Sequence, residues 1–298
     1  MSELDAGPVV DLRSRVGGGR RAKDIAFKIA LLGSLGIALG SLLTLLVDLF
    51  LEGSPRLNWA LVENMPSARP ARAGIQSAIF GSLWVVGLTA LLSLPLGIAA
   101  ALYLEEFAHK DRWYNRMIDL NVQNLAAVPS IVYGILGLAF IARGPLGFGF
   151  TVKTAALILT MVVLPTVVIT SREAIRAVPN SLRFGGYALG ATRWQMVYRQ
   201  VLPSALPGIA TGSILATSRA LGESAPLLMV GALTFVTFNP DGLDSQYAVL
   251  PLQIFRYISE ARQEFKPLAA ASAIVLVIVL VLMNSVAIFV RNRYQKKW

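Results

Sequence analysis

The sequence predicts an all-α membrane protein with six transmembrane helices, and three observations carry that prediction. The 298-residue chain is 55% hydrophobic and only 15% charged, with a mean hydropathy of +0.62, too apolar for an ordinary soluble domain. Apolar runs of about 20 residues recur along it, the length that crosses a hydrocarbon core of roughly 30 Å. Those runs do not alternate apolar with polar residues, as the strands of a membrane barrel would.

The first span is placed at 27–49, around "IALLGSLGIALGSLLTLLV". The second, 74–104, is long enough to tilt or to project from the bilayer. The third is placed at 122–142, "VQNLAAVPSIVYGILGLAFIA", and the fourth at 154–170, "TAALILTMVVLPTVVIT". The fifth lies in 205–238, interrupted by Gly222 and Pro226, and the sixth at 268–290. Prolines 95, 129 and 165 and glycines such as Gly134, Gly208 and Gly212 fall inside these spans. They predict bent, closely packed helices. Residues 1–26 are expected to form a flexible cytoplasmic tail, 27–290 the six-span domain, and 291–298 a short cytoplasmic tail. No small-residue cleavage site follows the first apolar run, so that run is read as a retained anchor.

Charge orients the spans. With the N-terminus inside, the inner segments hold 18 of the 27 Lys and Arg residues and the outer segments eight. The positive-inside rule therefore places both termini in the cytoplasm of a multi-pass plasma-membrane protein. The same rule accounts for the net charge of +10 without nucleic acid, and no basic patch is interleaved with aromatics. The partner that composition implies is the lipid bilayer.

Enzymatic signatures are missing. The chain has no cysteine, which excludes disulfides, thiol catalysis and Cys-ligated metal. It contains neither H-E-x-x-H nor a phosphate-cradling G-x-x-x-x-G-K-[ST]. "GESAP" at 222–226 half-resembles G-x-S-x-G, but Pro226 replaces the second glycine. The one histidine, His109, sits in the loop "EEFAHKDRW", where a solvated role is expected.

Three stretches remain to be explained. In the outer segment 239–267, "NPDGLDS" reads as a turn. After it, Leu250, Ile254, Tyr257, Ile258, Ala261 and Phe265 recur at helical spacing. They predict an amphipathic helix that rests on the bilayer or faces a docked partner. The inner segment 171–203 is longer than a connection requires and restarts after Pro179. It should fold as two short helices whose Arg193, Trp194, Met196, Val197 and Tyr198 contact lipid headgroups or protein. In the fifth span, "SRALGESAPLL" sets Arg219 and Glu223 four residues apart on one helical face. Charges inside a membrane segment are expensive and mark either a structural pair or a pathway.

Residues 184–203 resemble the cytoplasmic signature of ABC-importer permeases: E-A-A, three residues, Gly, nine residues, Ile, one residue, Leu-Pro. Gly190 falls on the signature glycine and Leu202 and Pro203 on its end, whereas Phe184, Gly185 and Gly186 occupy the E-A-A positions and Gln200 that of Ile. Three longer stretches, "NLAAVPSIVYGILGLAF" (124–140), "EAIRAVPNSLRFGGYALGATRWQ" (173–195) and "LPSALPGIATGSILATSRALGESAPLL" (202–228), are similar to the PstA-type permeases of bacterial phosphate importers.

The resemblance implies a type I importer permease fold in the bacterial inner membrane. It implies a second homologous permease of the PstC type, a PstB-type ATPase dimer that uses ATP and Mg, and a PstS-type extracytoplasmic phosphate-binding protein. The chain itself would bind no cofactor and no metal. By the same resemblance, 184–200 is the coupling helix, with Ala191, Thr192, Arg193 and Trp194 at its turn. Arg219 and Glu223 would contact inorganic phosphate: a guanidinium fork matches its oxygens, and the carboxylate competes for the arginine or accepts the phosphate O–H. The rivals are the partner permease, a permease for another oxyanion and, in a different class, a membrane-embedded enzyme. The short outer segment 51–73 and the six-span count favour the PstA type.

Overall fold

A computed structural model describes residues 18–109, 112–231 and 235–294. Twelve α-helices are assigned among them: α1 (Gly18–Gly53), α2 (Trp59–Glu63), α3 (Gln76–Leu102), α4 (Trp113–Ala127), α5 (Ser130–Leu136), α6 (Val152–Arg176), α7 (Asn180–Ala188), α8 (Arg193–Met196), α9 (Leu202–Gly222), α10 (Ala225–Met229), α11 (Leu250–Ser259) and α12 (Lys266–Tyr294). No strand occurs among the described residues. Five helical segments are long and apolar enough to cross a membrane, and a sixth span results if the bent pair α4–α5 counts as one. The expected tails lie largely outside the described residues, although helix already begins at Gly18 and continues to Tyr294.

Helix α1 stands as a unit by itself up to Leu49, its apolar side chains exposed. The second unit, from Phe50 on, is organised around α6. Fourteen residues of that helix are buried, so it is the core helix, with α3 on one flank and α9 on another. Small residues make the close approaches. A Cβ on Gly97 of α3 would lie 2.6 Å from Val167, and Cβ atoms on Gly208 and Gly212 of α9 would lie 2.7 Å from Ala174 and 2.4 Å from Thr170. Glycine at these positions lets the backbones approach in a bundle that packs by van der Waals contact and not by hydrophobic exclusion.

The third span differs from its prediction. It is two helices meeting at 101°. Pro129 carries no N–H and its ring collides with the carbonyl four residues back, and it drives Val128 out of the helical region; Val128 sits at φ −69°, ψ 130°. The carbonyl freed by Pro129 is that of Leu125, and the buried Tyr133 hydroxyl donates to it at 2.8 Å. The bend is therefore capped from within.

At the end of the bundle carrying α2 and α11, backbone bonds from Val152 to Ser245 and from Lys153 to Leu243 fasten the 239–249 loop to the start of α6. Tyr257 of α11 donates to the Gly74 carbonyl at 2.6 Å and stacks on Phe265 at 5.5 Å. Burial pushes its hydroxyl pKa up to about 12, so it remains a donor. The amphipathic helix is shorter than its periodicity predicts. It ends at Ser259, leaving Ile258 and Ala261 exposed while Leu250, Leu252 and Gln253 turn inward. The chain extends at Glu260 (φ −68°, ψ 138°), and α12 begins at Lys266 with Pro267 in its first turn, a position that suits proline.

Candidate functional site

The Arg219–Glu223 pair sits where a spanning helix breaks. In a continuous helix Pro226 would have to donate to the carbonyl of Gly222 and would collide with it. The chain instead ends α9 at Gly222, extends at Glu223 (φ −73°, ψ 121°), and restarts as α10 with Pro226 in its first turn. Arg219 occupies the last turn of α9, where a cation complements the helix dipole. Its Nε lies 3.2 Å from Glu223 Oε1.

Depth and exposure follow from packing. Ala205, Ile209, Gly212, Ala216 and Ala220 form the buried face of α9. Ala216 and Ala220 cluster with Val163 and Val167, in the middle of α6. The pair is therefore at mid-span. Arg219 lies off that face, with Thr211 and Leu215, which are also exposed. Its side chain is 53% exposed and that of Glu223 15%. Among the described residues neither side chain bonds to another helix, so the pair does not pin α9 to a neighbour. An arginine left facing hydrocarbon at this depth costs about 2.5–3.5 kcal/mol even on the lenient insertion scale. That cost is avoided when the face meets water or protein.

The two helix breaks meet each other. Half-helix α5 packs on half-helix α10, and a Cβ on Gly134 would lie 2.6 Å from the Cα and carbonyl oxygen of Pro226. Both elements therefore form one contact beside the charged pair. The proline positions hint at each break, but nothing in the sequence pairs them.

At the opposite end of α6 from α11, the segment expected at 171–203 holds the two short helices α7 and α8, but residues 171–176 belong to α6, and 184–200 is divided by a turn at Gly190 and is not one helix. Pro179 opens α7. Thr192 caps α8 by accepting from the Gln195 N–H at 3.3 Å, while the Gln195 side chain accepts from the Thr192 N–H at 3.0 Å, a reciprocal capping box. Gly190 has φ +77°, a left-handed conformation. The Ala191 N–H reaches the Gly186 carbonyl and the Gly190 N–H that of Tyr187. This is a Schellman turn, and glycine is its preferred residue. No atom lies within 4 Å of a Cβ built on Gly190; the requirement there is conformational.

Gly186 is buried against Met196, while Gly185 is exposed and open. Met196, Val197 and Val201 are buried with Ala101, Ile175 and Val178, and Ala191 and Leu202 pack on that cluster. A π turn over Val197–Val201 directly precedes Leu202 and Pro203, which open α9. The other face of the unit is apolar yet exposed: Phe184 71%, Leu189 90%, Trp194 65% and Tyr198 63%. Arg193 stands 5.4 Å over the Phe107 ring, and Trp194 leans on the same ring at 6.1 Å. Large apolar side chains exposed together on one short unit mark contact with protein or with lipid.

Sequence reasoning missed the ion-pair network beneath this unit. Glu105, 5% exposed, accepts from Arg172 at 2.9 Å and Arg176 at 2.7 Å. Arg172 also pairs with Asp119, and Arg183 with the buried Glu106 at 2.8 Å. Together these tie the ends of α3, α4, α6 and α7. The doublet Glu105–Glu106 before Phe107 was the one available signal. Among the described residues no group of His, Cys, Asp or Glu is arranged to hold a metal.

With this geometry in place, comparison adds kinship. Residues 93–297 match the family of binding-protein-dependent transport system inner membrane components. The chain is 34% identical over 233 residues to the probable ABC transporter permease protein YqgI of Bacillus subtilis (strain 168), over 75% of this chain and 77% of that protein. It is 32% identical over 281 residues to the phosphate transport system permease protein PstA of Yersinia pestis, over 92% of each. Among solved structures, the bacterial alginate ABC transporter in complex with an alginate pentasaccharide-bound periplasmic protein superposes with a TM-score of 0.67 at 19% identity, over 93% of this chain and 97% of that one. At that identity the likeness concerns the fold.

Proposed function

The chain belongs to the binding-protein-dependent transport system inner membrane components, and from that membership we propose that it is the PstA-type permease subunit of an ATP-driven inorganic phosphate importer, supplying half of the translocation pathway. It is a non-catalytic, multi-pass inner-membrane subunit with the type I importer permease fold. ATP and Mg²⁺ are used by a separate ATPase.

The observation that carries the substrate is the half-exposed Arg219 at mid-span, paired among the described residues only with Glu223, just past the end of its own helix. Phosphate at neutral pH carries one to two negative charges and at least one O–H. The guanidinium binds its oxygens bidentately. A bare arginine would hold the anion too long, and conduction requires a site that is easily left. Glu223 competes for Arg219 and accepts the phosphate O–H, so entry and release stay balanced.

The α7–α8 unit is the coupling element. Its ridge of Phe184, Leu189 and Trp194 faces away from the bundle, and Gly190 sets the turn between its helices. It docks in a groove of a PstB-type ATPase dimer. A PstC-type permease covers the exposed face of α9, and a PstS-type protein delivers phosphate at the α2–α11 end, which lies outside; both termini lie in the cytoplasm. Proteoliposomes holding this chain with those partners should take up radiolabelled phosphate in an ATP-dependent manner that sulfate does not inhibit. Uptake of sulfate instead, or none of either, contradicts the assignment.

A further inference from the structure

We propose that a second oxyanion site lies at the α7–α8 end of the bundle, in a cavity of about 180 Å³ lined by Leu104, Ala108, Asn115, Arg116, Asp119, Arg172 and Arg176, and that it takes a phosphate group that retains one O–H. The cavity is remote from Arg219: it borders the last turn of α6, whereas Arg219 lies opposite the middle of that helix. The site is derived from its own geometry and stands apart from the pathway reading.

Charge comes first. Among the described residues, three guanidinium groups and one carboxylate, that of Asp119, line the cavity, and Glu105 bonds two of the guanidiniums from outside the lining. Arg172 is engaged by both carboxylates, and Arg176 by Glu105. Arg116 has no side-chain partner among the described residues. Among the described residues one positive charge is therefore left unneutralised, and a monoanion balances it. Guanidinium donors beyond those already used remain on Arg116 and Arg176 for tetrahedral oxygens.

Asn115 sets the selectivity. It is 5% exposed, and its Nδ2 donates to the His109 carbonyl at 2.9 Å. That bond fixes Oδ1 as the free end, and Oδ1 is buried without a partner. A buried acceptor demands a donor. An anion carrying an O–H supplies negative charge to the arginines and a proton to Asn115 together. Sulfate, fully ionised at neutral pH, supplies only the charge. Two sources share the required chemistry, free inorganic phosphate and the monoester headgroup of phosphatidic acid.

Hydrogen–deuterium exchange of the intact importer complex in nanodiscs reads the site at the backbone of 112–120. Millimolar inorganic phosphate should slow exchange there severalfold. Sulfate at matched ionic strength should need a concentration roughly tenfold higher, the factor that one unmet hydrogen bond implies. Arg116→Gln breaks no side-chain hydrogen bond or ion pair among the described residues, so it should retain the ligand-free exchange pattern and phosphate uptake while losing the protection. Arg219→Ala should keep the protection, which separates this site from the pathway. Protection by phosphatidic acid nanodiscs and not by free phosphate assigns the lipid as the source. Protection by neither ligand, equal protection by sulfate, or full protection in Arg116→Gln overturns the proposal.

Discussion

Arg183 donates from Nη2 and Nε to a single carboxylate oxygen of Glu106, at 2.8 and 3.2 Å, and the same guanidinium reaches the carbonyls of Ile175 at 2.9 Å and Val178 at 2.5 Å. One side chain thus fastens α7 to the end of α3 and to the end of α6. Both partners are largely buried, 17% and 7% exposed. Arg183→Ala should leave the Glu106 carboxylate buried and unpaired, at a cost of about 3–5 kcal/mol. Limited proteolysis of membrane vesicles should then cut 177–200 faster, with uptake lost and membrane abundance kept. Cleavage and uptake at wild-type levels would show that α7 is held by its apolar cluster alone.

Gly190 tests the turn above that anchor. At φ +77°, an alanine costs about 1–2 kcal/mol, and asparagine, which tolerates the left-handed region better, costs less. Coupled ATPase activity of the assembled importer should therefore fall in the order Gly190, Asn, Ala, although no side chain meets the Cβ. Equal activity in all three would mean that the turn conformation is not what docking requires.

The contact between the two helix breaks is tested at Gly134. Alanine there would place its Cβ 2.6 Å from the Pro226 backbone, and such overpacking costs typically about 1–3 kcal/mol. The purified complex should unfold several degrees lower and transport more slowly. An unchanged midpoint with unchanged uptake would mean that α5 and α10 separate freely.

What the sequence reveals of this architecture depends on how local each signal is. Spans are announced by contiguous apolar runs, and α3 and α12 match theirs within a few residues, whereas α6 runs past 170 to Arg176 and α9 stops at Gly222. Arg219 and Glu223 are four residues apart, so their pairing is legible; that Arg219 is half exposed while Glu223 is largely covered is not, because exposure depends on which side of α9 meets α6. Pro129 announces a break, but its 101° angle depends on Tyr133 capping Leu125 and on α5 finding α10. Glu105 meets Arg172 across 67 residues and Glu106 meets Arg183 across 77, and no spacing rule spans such distances. Helix α11 stops at Ser259 although Ile258 and Ala261 continue its periodicity, so the apolar spacing there does not report the helix end.

Membrane orientation is open to labelling, since the chain has no native cysteine. Gln246 and Ser181 are exposed near opposite ends of α6. A cysteine at 246 should react with an impermeant maleimide in whole cells, and one at 181 only after permeabilisation. The reverse pattern would invert the topology.

The central claim is that Arg219 contacts phosphate in transit. Arg219→Lys keeps the charge and loses the fork, so uptake should drop about tenfold to a hundredfold, the rate equivalent of one charge-assisted bond at the barrier. The decisive measurement is radiolabelled phosphate uptake by Arg219→Glu combined with Glu223→Arg, in cells lacking other phosphate importers and with membrane abundance checked by blot. The exchange preserves both charges but moves the cation four residues along the chain, from the last turn of α9 to the extended residue beyond it. The account predicts normal abundance and no uptake. Near-normal uptake by the exchanged variant would contradict it and leave the pair as a structural feature of the break between α9 and α10.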